Sequence, residues 1–169
     1  MMIYYIVWIS FIILIIFIVF LILLNKKIYK LEKKILKKFK EKNNLIPSIY
    51  EVTKGYFNKH EEIFREIIIL HKKDFSENLF YVNLIEKTKT YKLIHNELNF
   101  IFRVCNKHPK INKDYKFLLT KDNIIDKSSQ LWENLILYKK IISKYNKLIN
   151  IKNLTIIWIL IPIKKINTI

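Results

Sequence analysis

Four histidines, fourteen carboxylates and one cysteine are the side chains in this sequence with chemistry to offer. His60 and His71 stand eleven residues apart. That is close to three turns, which puts them on one helix face but separates them by about 16 Å along it. A metal ion needs its ligands around one point, and His60-Glu61 lacks the second histidine of a His-Glu-x-x-His zinc motif, so these histidines, with His95 and His108, read as seam or surface residues. The single glycine, Gly55, leaves no room for a P-loop, a dinucleotide fingerprint or a nucleophile elbow. Cys105 stands alone, which excludes an internal disulfide and a Cys-based zinc site; it reads as a small packed apolar residue. The carboxylates are scattered among 31 lysines and arginines with no acid–base pairing. The chain reads as a non-enzyme with no catalytic residues, no metal and no cofactor.

The element that must carry all of these residues is the opening run Ile3 to Leu24, IYYIVWISFIILIIFIVFLILL, which holds no charge, proline or glycine. At about 1.5 Å per residue it crosses the roughly 30 Å hydrocarbon core of a bilayer as one helix. It exceeds the apolar core of a signal peptide, and neither a basic leader nor a small-residue cleavage site flanks it, so an uncleaved anchor is expected. Lys26, Lys27, Lys30, Lys33, Lys34, Lys37, Lys38, Lys40 and Lys42 follow it. The positive-inside rule then predicts a single-pass protein of the cell membrane with its N-terminus outside and the remainder in the cytoplasm. The net charge of +17 is spread along the chain and accompanies an excess of Ile, Lys and Asn, the mark of A/T-rich codon choice. A specific nucleic-acid partner is therefore not expected; membrane lipid is, with another membrane protein as a further candidate.

Beyond the anchor the apolar pattern is helical throughout. Ile28, Ile35, Ile49, Tyr56, Ile63 and Leu70 share one seven-residue phase, with Leu31, Leu45 and Val52 beside it, which predicts one long helix bent at Pro47. Asp74 and Glu77 have capping-box spacing ahead of a second helix, on which Phe80, Leu84, Tyr91, Ile94, Leu98, Ile101 and Cys105 form a seam up to Pro109. Phe117, Ile124, Leu131, Tyr138 and Tyr145 mark a third, interleaved with Leu135, Ile142 and Ile149. The expected fold class is all-α, a transmembrane helix followed by an antiparallel bundle of three to four long helices. The expected division is anchor 1–25, bundle with a lysine-rich stem 26–150, and an apolar tail 151–169. Three alternating helices place that tail, LTIIWILIPI at Leu154 to Ile163, at the end of the bundle far from the membrane.

The stretch NLIPSIYEVTKGYFNKHE, Asn44 to Glu61, resembles the LemA family, whose hallmark is a Leu-Ile-Pro-Asn-Leu-Val-Glu-Thr-Val-Lys-Gly-Tyr run followed by His-Glu. Leu45, Ile46, Pro47, Glu51, Val52, Lys54, Gly55, Tyr56, His60 and Glu61 match, while Ser48, Ile49, Tyr50 and Thr53 depart. Pro109, Ile111 and Phe117 follow the pattern that opens the family's next helix, and Tyr138 and Tyr145-Asn146 fall at its two Tyr-Asn pairs, the first with Lys139 in place of Asn. The family's C-terminal Phe-Pro and Gly-Phe elements are absent. The resemblance implies a single-span membrane protein with a helical bundle and no assigned activity, some relatives being associated with membrane zinc peptidases or with shaping membranes. It carries over no catalytic residue. The matching residues are expected to be structural, with Gly55 where another helix approaches closely. The expected function is a membrane-anchored scaffold or protein-interaction module. The alternative is an envelope accessory factor that binds anionic lipid or a membrane protease through its basic stem.

Overall fold

The computed structural model describes residues 2–72, 80–153 and 165–166. It is all-α among these, in the order α1 (Met2–Asn43), α2 (Ile46–Thr53), α3 (His60–Lys72), α4 (Phe80–Asn106), a 3-10 turn (Ile111–Lys113) and α5 (Tyr115–Asn153). Asp74, Glu77 and the tail from Leu154 to Ile163 lie outside the described residues. Two compact units divide the chain, one of residues 1–33 with 136–168 and one of residues 34–135, and the helices α1 and α5 each run through both.

The long helix expected from Lys26 to Leu70 is interrupted twice: at Pro47 by a two-residue turn in helical backbone, consistent with the expected bend, and again between α2 and α3, where no break was expected. A helix continuing through Pro47 would need an N–H at that position to bond the carbonyl of Asn43. Proline has none, and α1 ends at Asn43. Only Asn44 and Leu45 intervene, with Leu45 still in helical backbone, and Pro47 then sits in the first turn of α2. The second interruption, Lys54 to Lys59, reverses the chain. Rings of Tyr50 and Phe64 lie 5.4 Å apart. Fourteen residues of continuous helix would separate them by about 21 Å. The α2 end tightens there to shorter bonds, Lys54 N–H to the Glu51 carbonyl and Tyr56 N–H to that of Thr53, while Glu61 and Glu62 favour the positive end of α3. The seven-residue phase survives the reversal because α2 and α3 face the same core.

That core, in the unit of residues 34–135, joins Ile46 and Ile49 of α2, Phe64 and Ile67 of α3, Ile94, Leu98, Ile101 and Cys105 of α4, and Phe117 and Ile124 of α5. The helix α4 stops at Asn106, three residues short of Pro109.

In the other unit, Leu21, Ile28 and Leu31 of α1 and Tyr138, Ile141, Ile142, Tyr145 and Ile149 of α5 are buried. The Tyr138 hydroxyl donates to Glu32 Oε1 at 2.5 Å. The other buried α1 residues of this unit precede that pair and the other buried α5 residues follow it, so α5 runs back along α1 toward its apolar half; Leu21 and Ile149 each lie eleven residues from the pair. The expectation that the third helix leaves the membrane is thereby overturned. The reversal at Lys54 to Lys59 adds one change of direction to the count. Asn146 adds that its side-chain amide donates to the Ile166 carbonyl at 2.8 Å and accepts from the Ile166 N–H at 3.1 Å.

Candidate functional site

Of the sequence-matched residues, Tyr56 and His60 enter polar contacts in one unit, and Tyr138 and Asn146 enter them in the other. The first set is built on the α2–α3 turn. Thr53 Oγ1 donates to the Ile49 carbonyl at 2.8 Å and meets His60 Nε2 at 3.0 Å. Since the hydroxyl proton is committed to the carbonyl, Nε2 carries the hydrogen and donates to the threonine. Tyr50 and Phe64 enclose the imidazole, at 4.4 and 4.5 Å between ring centroids. Burial holds its pKa below the ordinary value, which favours the neutral imidazole.

Three residues beyond Thr53, Tyr56 donates its hydroxyl to Asp114 Oδ2 at 2.8 Å, while Asp114 Oδ1 accepts from the backbone N–H groups of Lys116 and Phe117 at 2.8 and 3.1 Å. Asp114 is thus the N-cap of α5 and a tie to the α2–α3 turn at once. The Tyr56 bond, followed by that from Phe117, holds its carboxyl below the usual range, and the same bond raises the tyrosine. Tyr56 and Phe57 both meet the His108 ring edge-on at 5.7 Å. Gly55 occupies the turn without crowding: a Cβ built there meets nothing within 4 Å, and its φ is not positive. The expected close helix approach at Gly55 is absent.

Sequence reading missed the buried charges. Lys42 is 1% exposed, its Nζ 4.3 Å above the Tyr91 ring centroid, and burial lowers its pKa to about 7. Its position was legible as the unfilled slot between Ile35 and Ile49 in the seven-residue phase. Glu32, also 1% exposed, has its pKa raised by burial against the lowering effect of Tyr138. Asp114 could have been found as a capping residue ahead of an apolar repeat. Cys105 is buried and its thiol pushed up to about 11, which makes it inert.

His60 packs among aromatic rings, and among the described residues no three His, Cys, Asp or Glu side chains come together as a metal site. Pro47 opens α2, Glu51 and Lys54 are exposed at its end, Glu61 lies in the first turn of α3, and Phe117 is buried in the first turn of α5. What the polar contacts do chemically is join helices: α2 to α3, the α2–α3 turn to the start of α5, α1 to α5, and α5 to Ile166.

No curated protein and no solved structure matches the chain. A family model does, that of the LemA family, over residues 31–160. That range takes in both sets of contacts except Ile166, and begins one residue before the buried Glu32. With 130 of its 169 residues matched, the chain belongs to the LemA family.

Proposed function

We propose that this LemA-family protein is a non-enzymatic, single-span scaffold whose bundle presents helix faces to partners at the cytoplasmic surface of the cell membrane. One observation carries the reading. The apolar half of α1 is laid bare, with Tyr5, Trp8, Ile12 and Ile16 between 52 and 65% exposed, and the same unbroken helix continues into the packed bundle. Such side chains need lipid around them. In this reading the sequence-matched residues serve the fold: Pro47 starts α2, Tyr56 and His60 fasten the turn, and Tyr138 and Asn146 fasten α5.

Membrane anchoring is tested by alkaline washing, after which the protein should stay with the membrane. Orientation is tested by placing a cysteine at Lys30. It should resist membrane-impermeant thiol reagents in intact cells, since Cys105 is buried and inert; ready labelling would put the bundle outside.

The stem supports a second role for the same surface. Lys26, Lys27, Lys30, Lys33, Lys34, Lys37 and Lys40 are all exposed on α1 directly after the span. Each such lysine near an anionic surface contributes about 1 kcal/mol. Binding of anionic vesicles, but not neutral ones, that fades at high salt would support lipid attraction by the stem.

A further inference from the structure

Between α4 and α5 lies an open groove of about 600 Å³, walled by Tyr91, His95 and Asn99 on one side and Ile125, Ser128 and Trp132 on the other. Ile125 and Trp132 remain 50 and 49% exposed. They belong to a second apolar line on α5, Leu118, Ile125 and Trp132 at seven-residue spacing with Ile136 beyond, distinct from the buried line Phe117, Ile124, Leu131 and Tyr138. A helix surface with that repeat meshes with another helix, and all four of these side chains are exposed.

Charge around the groove says what kind of helix. In a chain with 31 basic and 14 acidic residues, the stretch from Tyr115 to Ile136 is balanced, with Lys116, Lys121 and Lys127 against Asp122, Asp126 and Glu133. Lys127 turns to Glu41, Lys121 turns to Asn106 and Lys116 lies at the very start of α5, so the exposed charges along the rest of this stretch are Asp122, Asp126 and Glu133. The opposite edge, on α4, carries exposed Lys89, Lys92 and Arg103. Neither Asp122 nor Glu133 is in an ion pair among the described residues. One edge is therefore the complement of the other.

We infer that the groove is a self-association surface, in which two copies of the chain pair about a two-fold axis running along α4 and α5 and each places its α5 in the groove of the other. About such an axis the two copies meet level by level, α5 beside α5 in parallel. Contacts Tyr91 to Ser128 and Asn106 to Lys121 show α4 and α5 antiparallel. Glu133 thus flanks the groove end that holds Trp132 and Lys92, and Asp122 flanks the end that holds Phe102, next to Arg103. Acid on one copy meets base on the other at both ends, twice over by symmetry, around an apolar centre.

The test uses the full-length chain reconstituted in phosphatidylcholine vesicles. Ile125→Cys should link to its counterpart with a bifunctional maleimide, whereas native Cys105 alone and Asn123→Cys, on the opposite side of α5, should not. On the Ile125→Cys background, Glu133→Lys or Lys92→Glu should each weaken association about tenfold, and the two together should restore it. No linked dimer, equal linking from Asn123→Cys, or indifference to charge reversal would overturn the proposal, as would linking in cell membranes to a protein of another mass alone. Alkaline extraction of the same samples reports on the anchor separately.

Discussion

Gly55 turns the usual argument about a lone glycine around. With open space about it and a φ that any residue adopts, Gly55→Ala should stabilise the fold by about 0.4–1 kcal/mol by restricting the unfolded chain. Close packing there would have made the same change cost about 1–3 kcal/mol. Thermal melts of the detergent-solubilised protein decide the sign. Thr53→Val keeps the shape of a fully buried side chain but strands the Nε2–H of His60, and should lower stability by about 1–3 kcal/mol in the same melts. The two buried charges give opposite pH slopes. Lys42 holds its proton more weakly folded, near pH 7, than at its ordinary 10.5. The unfolded chain therefore binds more protons in that window, and stability should rise as pH goes from about 7 to 10.5. Glu32 holds its proton more tightly folded, so its contribution is present below 4.5 and lost as pH rises through the raised value. Melting curves across pH should show Lys42→Met removing the rise above neutrality and adding at least about 1–3 kcal/mol at pH 7, since no charge is then buried. Glu32→Gln, which keeps an acceptor for Tyr138, should remove the fall that begins above pH 4.5.

At the scale of elements, the turn between α2 and α3 and the start of α5 stand or fall together through Asp114. Asp114→Ala removes the α5 N-cap and the Tyr56 partner in one step, whereas Asp114→Asn keeps a capping acceptor and weakens only the charge. Alanine should lower the melting temperature more than asparagine. Hydrogen exchange should quicken both at the first turn of α5 and at Tyr56; a change confined to α5 would disprove the tie. Because the carboxyl sits below its usual range, its contribution is present above 3.8 and lost as pH falls through the folded value. The wild-type advantage over Asp114→Asn should therefore narrow in acid.

For the whole molecule, much was legible in the sequence, and for a physical reason. Span length is one-dimensional, so Ile3 to Leu24 declared itself a membrane helix, and helical periodicity is local, so the buried lines of α4 and α5 could be read residue by residue. The LemA-family stretch from Leu45 to Glu61 was equally visible, since it is a string of identities. Chain direction is not local. An apolar repeat keeps its phase whether the chain runs on or doubles back onto the same core, so Ile49, Tyr56 and Ile63 concealed the reversal at Lys54 to Lys59. Contacts across the turn disclosed it, among them the 5.4 Å between the Tyr50 and Phe64 rings. With that reversal α5 runs toward the apolar half of α1. The buried charges divide: Lys42 stands at a seam position of the seven-residue phase, whereas Glu32 counts as a solvated stem residue by composition, and its burial is decided by which helices close over it. Sequence determined what each helix is made of and which face it buries; tertiary structure decided which helices meet, because contacts between residues far apart in the chain leave no periodic trace within either one.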